Sequence, residues 1–170
     1  LQMIEKPKEP KSNLAITGIY FLTPIIFEKI KKLKPSWRNE FEIVDALQLL
    51  LEERNNISYD IITEFWKDTG TPDDIIHANR IILDNIQTKN LGTQEKNVDM
   101  TGNASIGKNS IIKNNCKIIG PVIIGEDCIL ENNCIIGPNV SIGNNCKIAN
   151  SQVENSIIMD NCIIDSEIFV

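Results

Sequence analysis

Residues 100–148 read MTGNASIGKNSIIKNNCKIIGPVIIGEDCILENNCIIGPNVSIGNNCKI. A branched or long apolar residue stands at every sixth position: Met100, Ile106, Ile112, Ile118, Ile124, Leu130, Ile136, Ile142 and Ile148. A second series, four residues further on, is small or compact except at its last member: Ala104, Ser110, Cys116, Val122, Cys128, Cys134, Val140, Cys146 and Gln152. A period of six fits neither an amphipathic helix nor an alternating strand. It indicates a parallel β-helix, in which each hexapeptide supplies one wall of a coil.

The repeat also predicts how successive coils stack. Three hexapeptide walls close a coil every 18 residues, which places Cys116 over Cys134 and Cys128 over Cys146. The isoleucines are expected to fill the interior, and Asn and Gly at the corners tolerate the positive φ of sharp turns. After Ile148 the apolar positions advance by five, five and six residues, and each five-residue step predicts a shortened wall or corner.

The hexapeptide pattern resembles the left-handed β-helix family. The left hand is implied by that resemblance alone, because the general rule for parallel crossovers favours the right hand.

Composition limits the class of function. The 170 residues carry a formal net charge of −6 without a dense basic run, which argues against nucleic-acid and anionic-membrane partners. No apolar run is as long as a membrane span and the first residues do not resemble a signal peptide, so we expect a cytoplasmic location. All five cysteines, including Cys162 beyond this series, occupy the compact position of the hexapeptide, which predicts buried reduced thiols rather than disulfides or a metal site.

Residues 1–88 have a pattern typical of a partial α/β domain. Apolar runs predict strands over 14–22 and 57–63. Three helices are expected: one opening at Thr23-Pro24, one over Glu40 to Glu53, and one after Gly70-Thr71-Pro72. The strands are too few for a sheet covered on both faces, so a complete domain would need more chain.

The remaining residues complete the predicted organisation. Residues 89–97 are polar and are expected to form a linker, followed by the β-helix over 98–170. No polar capping repeat precedes Val170, although the end of a solenoid normally needs one. We therefore expect both termini to be cut and the chain to be part of a longer protein.

Four motifs in the first half carry a second resemblance: Glu5-Lys6-Pro7, Ile16-Thr17-Gly18-Ile19-Tyr20, Arg38-Asn39-Glu40-Phe41-Glu42-Ile43-Val44-Asp45 and Phe65-Trp66-Lys67-Asp68-Thr69-Gly70. In this order and spacing they resemble the sugar-1-phosphate nucleotidyltransferases. The likeness is closest to the long-form glucose-1-phosphate thymidylyltransferases, in which a Rossmann-like nucleotidyltransferase domain precedes a left-handed β-helix. It covers essentially all of the chain and implies nucleotidyl transfer from dTTP to glucose 1-phosphate, with release of pyrophosphate, in nucleotide-sugar biosynthesis.

The resemblance implies roles for individual residues. Lys6 would hold the sugar phosphate, and Glu5 would accept hydrogen bonds from sugar hydroxyls. Ile16 matches a position whose backbone contacts the sugar, while Glu40 and Trp66 match positions that line the sugar site. Without the resemblance, the sequence favours a surface ion pair for Glu5 and Lys6 and a core position for Trp66. Family members often have Gly where this chain has Asn39.

Asp68 is the metal-ligand candidate and, with Lys6, the catalytic one. It lies just after an apolar strand, where open α/β sheets place their ligand crevice. A lone carboxylate is usually a turn residue or helix cap, so only the resemblance implies that Asp68 binds Mg²⁺, an ion that takes a few carboxylates plus phosphate oxygens.

The chain lacks the family's Gly-rich triphosphate loop with its Arg and Lys, and also its second metal-binding Asp. We therefore expect these 170 residues to be inactive alone.

Other functions remain open at this stage. Relatives that use UTP, GTP or ATP share much of the same second half. Hexapeptide-repeat acyltransferases usually place a histidine base on a coil, whereas residues 98–170 contain no histidine and the sole one is His77. A non-catalytic assembly module, giving a homo-oligomer, is the interpretation that we favour for the β-helix half.

Overall fold

The computed structural model describes residues 2–165, which divide into two compact units between Thr63 and Glu64. The described residues contain three helices: α1 (Ile25–Ile30), α2 (Ile43–Glu52) and α3 (Pro72–Leu83). All fourteen strands of the described residues lie in the second unit. The described residues therefore form a region with few helices, followed by a parallel β-solenoid.

The first unit has a small core between α1 and α2. Its buried residues are Ile26, Ala46, Leu47 and Leu50, with Met3, Leu33, Ile43 and Ile57 packed against them. The backbone N–H of Met3 donates to Gln48 Oε1 of α2 at 2.8 Å, which fixes the first residues to this core. Pro24 occupies the N-cap position of α1 without a side-chain cap, and the Thr23 carbonyl accepts from the Ile26 N–H at 3.1 Å.

The strands predicted over 14–22 and 57–63 are wrong for the described structure, where neither segment forms a strand. A strand persists only when a neighbouring strand satisfies its N–H and C=O groups, and within residues 2–63 no segment supplies that neighbour. The apolar side chains of the first segment consequently face solvent, with Phe21 97% and Ile19 76% exposed.

The solenoid has three walls of hydrogen-bonded parallel strands, which we call the first, second and third wall. The first wall consists of β1 (Lys89–Asn90), β4 (Ala104–Ile106), β7 (Val122–Ile124), β10 (Val140–Ile142) and β13 (Ile157–Ile158). The second consists of β2 (Thr93–Gln94), β5 (Ile111–Ile112), β8 (Ile129–Leu130), β11 (Lys147–Ala149) and β14 (Ile163–Asp165). The third consists of β3 (Asp99–Thr101), β6 (Lys117–Ile119), β9 (Ile135–Ile136) and β12 (Gln152–Val153).

The register confirms the hexapeptide analysis. Ile106 pairs with Ile124 and Ile124 with Ile142, so the same interior position recurs after 18 residues. The isoleucines of the repeat are buried in one continuous core, as predicted. The shortened corners are also confirmed: Ile135 pairs with Gln152 after 17 residues and Ser141 with Ile157 after 16.

The cysteines stack as predicted. Lys117 pairs with Ile135 and Ile129 with Lys147, which places Cys116 next to Cys134 and Cys128 next to Cys146 in adjacent coils. All five cysteines are free, and all but the half-buried Cys162 are buried. The neighbouring Cys134 thiol and burial raise the pKa of Cys116, and burial raises the pKa of Cys146. Cys116 and Cys146 are therefore structural side chains of low reactivity, whereas the hydrogen bond with Cys116 lowers the pKa of Cys134 to about 7.

Residues 89–97, expected as a linker, supply two strands of the first coil. β1 pairs with β4 and β2 with β5. The register shows why the sequence pattern is weak here: Asn90 and Gln94 stand in line with the buried Ile106 and Ile112 of the next coil. Polar residues therefore occupy positions that hold isoleucine further along.

The corners of the coils carry columns of hydrogen-bonded amides. Asn97, Asn115 and Asn133 form one column, and Asn109, Asp127, Asn145 and Asn161 occupy another, all at positive φ. Asn109 Nδ2 donates to Asp127 at 3.0 Å and Asn145 Nδ2 to Asn161 at 2.8 Å. Asn and Asp tolerate this backbone conformation better than other residues with a side chain, which explains the composition of the corners.

Within the described part of the chain, none of the helices combines the length and apolar character that a bilayer crossing requires.

Candidate sugar-phosphate site

Two of the predicted sugar-site residues meet on one arginine. Arg38 Nη2 lies 2.8 Å from Glu40 Oε2, and Arg38 Nη1 lies 3.8 Å from Glu5 Oε1 and 3.5 Å from Glu42 Oε1. Ser36 Oγ donates to the same Glu42 oxygen at 2.9 Å. The guanidinium therefore joins the N-terminal segment, through Glu5, to the residues that lead into α2. Three carboxylates share one cation, so this cluster presents acceptor oxygens suited to hydroxyl groups.

A tight turn sets the direction of Arg38 and Glu40. The Asn39 N–H donates to the Ser36 carbonyl at 2.9 Å, and the Ser36 N–H donates to the Glu40 carbonyl at 2.8 Å. Asn39 has φ +61°, in the left-handed region that Gly and Asn both adopt readily. Asn in place of the Gly expected from the resemblance is therefore a conservative change for the backbone.

Lys6 and Ile16 lie outside this cluster. Lys6 is exposed, with φ +38°, and among the ion pairs of residues 2–165 none involves its ammonium group. Ile16 is 47% exposed in a segment without regular structure. Lys6 is thus sequence-adjacent to the carboxylate cluster and available to an anionic group.

Trp66 and Asp68 belong to the second unit and precede α3. Trp66 is 50% exposed, and the Asp68 side chain also faces solvent. Lys67, between them, pairs with Asp74 Oδ1 at 2.6 Å. Thr71 caps α3: its Oγ1 accepts from the Asp74 N–H at 3.2 Å and donates to Asp74 Oδ2 at 2.7 Å. The hydrogen bonds from Lys67 and Thr71 hold the pKa of Asp74 below its usual range.

Asp68 provides one possible metal ligand, and the residues around it do not complete a metal site. Asp68 supplies one exposed carboxylate, and within residues 2–165 no group of three or more His, Cys, Asp or Glu side chains is arranged to hold a metal ion. Mg²⁺ commonly takes one or two protein carboxylates and completes its shell with water and phosphate oxygens. Asp68 can serve as one such ligand.

The structure also adds a residue that the sequence analysis did not assign. Arg38 contacts both Glu5 and Glu40 and is only 25% exposed in its side chain. One feature of the sequence could have indicated this role of Arg38. In Arg38-Asn39-Glu40-Phe41-Glu42 the cation stands two residues before one carboxylate and four residues before another. The contact with Glu5 joins residues 33 positions apart and could not be predicted from spacing.

Two known families match the chain. Residues 1–85 match the Nucleotidyl transferase family, and residues 118–170 match the GMPPB C-terminal domain. The first match contains all of the candidate site residues, and the second includes strands β7 to β14 of the solenoid.

Individual relatives agree with the family match. The chain is 41% identical over 109 residues to the low-salt glycan biosynthesis nucleotidyltransferase Agl11 of Haloferax volcanii, covering 64% of this chain and 30% of the relative. It is 38% identical over 110 residues to the glucose-1-phosphate thymidylyltransferase of Streptomyces antibioticus, covering 65% and 31%. It is 42% identical over 113 residues to the bifunctional protein GlmU of Methanococcus aeolicus, covering 66% and 27%.

The chain thus spans about a third or less of the length of these relatives. Because the matched residues 1–85 are half of its 170 residues, the chain belongs to the Nucleotidyl transferase family.

Proposed function

We propose that this chain carries the sugar-phosphate half of a sugar-1-phosphate nucleotidyltransferase. The observation that carries the proposal is the family match over residues 1–85, which includes the Arg38 cluster with Glu5 and Glu40. In the proposed reaction a phosphate oxygen of the sugar 1-phosphate attacks the α-phosphorus of a nucleoside triphosphate. The bond between the α-phosphorus and the bridging oxygen breaks, and pyrophosphate leaves. Positioning and charge stabilisation suffice for this reaction, so no covalent protein nucleophile is required.

Different candidate residues would bind the phosphate and the sugar of the sugar 1-phosphate. The Lys6 ammonium would hold the sugar phosphate as a compact cation, while Glu5 and Glu40 would accept hydrogen bonds from sugar hydroxyls. Trp66 would contact the apolar face of the sugar, and the backbone at Ile16 would border it. Bound Mg²⁺ supplies neutralisation of phosphate charge, and Asp68 is proposed as one of its ligands.

For the substrates we propose dTTP and glucose 1-phosphate. The support is the likeness to proteins named glucose-1-phosphate thymidylyltransferase, with 38% and 34% identity in two cases. UTP, GTP and ATP are the alternatives, because relatives with other names match similar shares of the chain. No triphosphate-binding Gly-rich loop occurs in the 170 residues, so we also propose that this polypeptide alone releases no pyrophosphate.

For the solenoid we propose an assembly role with a second copy of the chain as partner. Along the outer face of the second wall, Ile111 and Ile129 are followed by Lys147 and then by Ile163, which is 77% exposed. Residues 98–170 contain no histidine, which disfavours the acyltransferase alternative. Five free cysteines support the proposed cytoplasmic location, because reducing compartments keep thiols unpaired.

An enzyme assay tests the proposed reaction. Pyrophosphate release is measured with each of dTTP, UTP, GTP and ATP against glucose 1-phosphate, using a form of the protein that also carries a triphosphate-binding segment. We expect release that depends on Mg²⁺ and is fastest with dTTP. Absence of release with all four triphosphates would refute the proposed reaction, and a faster rate with another triphosphate would refute only the choice of dTTP.

A further inference from the structure

The segment that carries Trp66 and Asp68 has no regular secondary structure of its own. Lys67 is bound by Asp74 in the first turn of α3 at 2.6 Å, and Thr71 hydrogen-bonds the same carboxylate at 2.7 Å. Both partners of the Lys67 ion pair are less than a third exposed. The position of Trp66 and Asp68 therefore follows the position of α3.

Two consecutive residues, Asn79 and Arg80, bind α3 to the fourth and fifth coils of the solenoid. Ser141 Oγ, on the outer face of β10, donates to Asn79 Oδ1 at 2.6 Å. Arg80 Nη2 donates to Asn155 Oδ1 at 2.9 Å, and Asn139 Nδ2 donates to the same oxygen at 3.0 Å. Arg80 thus adds a cation to a further pair of stacked corner amides, Asn139 and Asn155, both at positive φ. Leu83, at the end of α3, is completely buried.

We infer that Asn79 and Arg80 are positioning residues, which hold Trp66 and Asp68 in place by fixing α3 to the solenoid. This inference rests on the proposed function of Trp66 and Asp68. Asp68 is joined to α3 through its chain neighbour Lys67, which binds Asp74, and α3 is joined in turn to Ser141 and Asn155. The solenoid is then the scaffold of the metal carboxylate as well as an assembly surface. A rigid support of this kind matters because small displacements of a ligand reduce catalytic rate strongly.

Substitutions at the contact between α3 and the solenoid separate positioning from general stability. Ser141→Ala removes the hydroxyl that binds Asn79, and Arg80→Ala removes the contact with Asn155, while neither alters Trp66 or Asp68. Ser105→Ala is the matched control, because Ser105 stands two coils away in the same outer column of the first wall, aligned through Ile123. Arg80→Lys keeps a donor for Asn155 and serves as the rescue variant.

The first measurement is made on the full chain by NMR. In Ser141→Ala and Arg80→Ala we expect amide hydrogen exchange in α3 to accelerate about fivefold per hydrogen bond lost. We also expect the ¹⁵N order parameters of residues 66–70 to fall toward values typical of flexible backbone. Ser105→Ala should change neither quantity, and Arg80→Lys should restore part of the order. Unchanged order parameters at 66–70, or an equal change in Ser105→Ala, would overturn the inference.

The second measurement is the enzymatic rate as a function of Mg²⁺ concentration, in a form of the protein that also carries a triphosphate-binding segment. Ser141→Ala and Arg80→Ala should raise the Mg²⁺ concentration for half-maximal rate about fivefold or more, with Ser105→Ala unchanged. Loss of order at 66–70 with unchanged Mg²⁺ dependence would overturn the positioning role. Absence of any turnover would contradict the proposed function instead, and the NMR data would still decide whether α3 holds the segment.

Discussion

Asp127 interrupts a corner column that is otherwise asparagine. Asn109 donates to Asp127 from one side, but an ionised Asp127 has no donor for Asn145 in the next coil. Asp127 has φ +56°, a conformation that Asn adopts as readily as Asp.

Asp127→Asn should therefore stabilise the solenoid by about 1 kcal/mol, because the new amide can donate to Asn145 while still accepting from Asn109. Chemical unfolding of both proteins measures this. Asp99→Asn, on an exposed strand position of the third wall, controls for the loss of one negative charge. A destabilised Asp127→Asn protein, or an equal gain in Asp99→Asn, would count against the continuous amide column.

Glu131 provides a prediction of pH dependence. Hydrogen bonds from Lys113 at 2.7 Å and then from Lys147 at 3.3 Å lower its pKa below the usual 4.5. Since the folded-state pKa is depressed, this carboxylate favours folding above the unfolded-state pKa, and that contribution is lost as the pH falls through the folded-state pKa.

Lys113→Ala should move the pKa of Glu131 upward, with Lys147 still holding it partly down. An NMR titration of the Glu131 side chain below pH 5 checks this directly. Lys108→Ala removes an equal charge from an exposed position and should leave the titration unchanged. The interpretation would be contradicted by an identical pKa in Lys113→Ala and the unmodified protein.

At the level of the elements, adjacent residues of one strand have opposite environments. In β9, Ile136 is fully buried in the solenoid core, whereas Ile135 faces outward and is only partly buried. Ile136→Asp should unfold the solenoid, with a loss of more than about 4 kcal/mol, because an unpaired charge cannot be buried in a dry apolar interior.

Ile135→Asp is the matched control and should cost about 1 kcal/mol or less, since its carboxylate stays in water. Circular dichroism during thermal unfolding measures both variants. Equal stability of the two variants would contradict the observed register.

The elements also show how far sequence reasoning extends. The repeat predicted the walls, the stacking of Cys116 on Cys134 and the shortened corners, because each interior position depends only on its neighbours one coil away. The strands over 14–22 and 57–63 failed because a strand depends on a partner that a local apolar run cannot specify. The first coil was not predicted because Asn90 and Gln94 stand at interior positions of the hexapeptide repeat, where the later coils have isoleucine.

For the candidate site, local motifs predicted the residues and not their arrangement. Glu5 and Glu40 meet on Arg38, a contact between distant positions that no motif spacing contains. The attachment of α3 through Asn79 and Arg80 to the solenoid was likewise invisible in the sequence, because both are ordinary polar residues of a helix surface.

For the whole molecule, we predict self-association through the solenoid. Flat walls of short strands with outward isoleucines bury apolar surface when two copies pack side by side. Sedimentation velocity at several protein concentrations should show a defined oligomer at tens of micromolar. A strict monomer at those concentrations would refute the proposed assembly role.

The most direct measurement of the central claim is the binding of glucose 1-phosphate to Lys6 variants. Calorimetric titration should show binding by the unmodified chain and a loss of about tenfold or more in Lys6→Ala, since a phosphate contact is removed. Lys8→Ala, which removes an equally exposed charge two residues away, should bind like the unmodified chain. If the chain does not bind glucose 1-phosphate, or if Lys8→Ala weakens binding as much as Lys6→Ala, the proposed sugar-phosphate site is wrong.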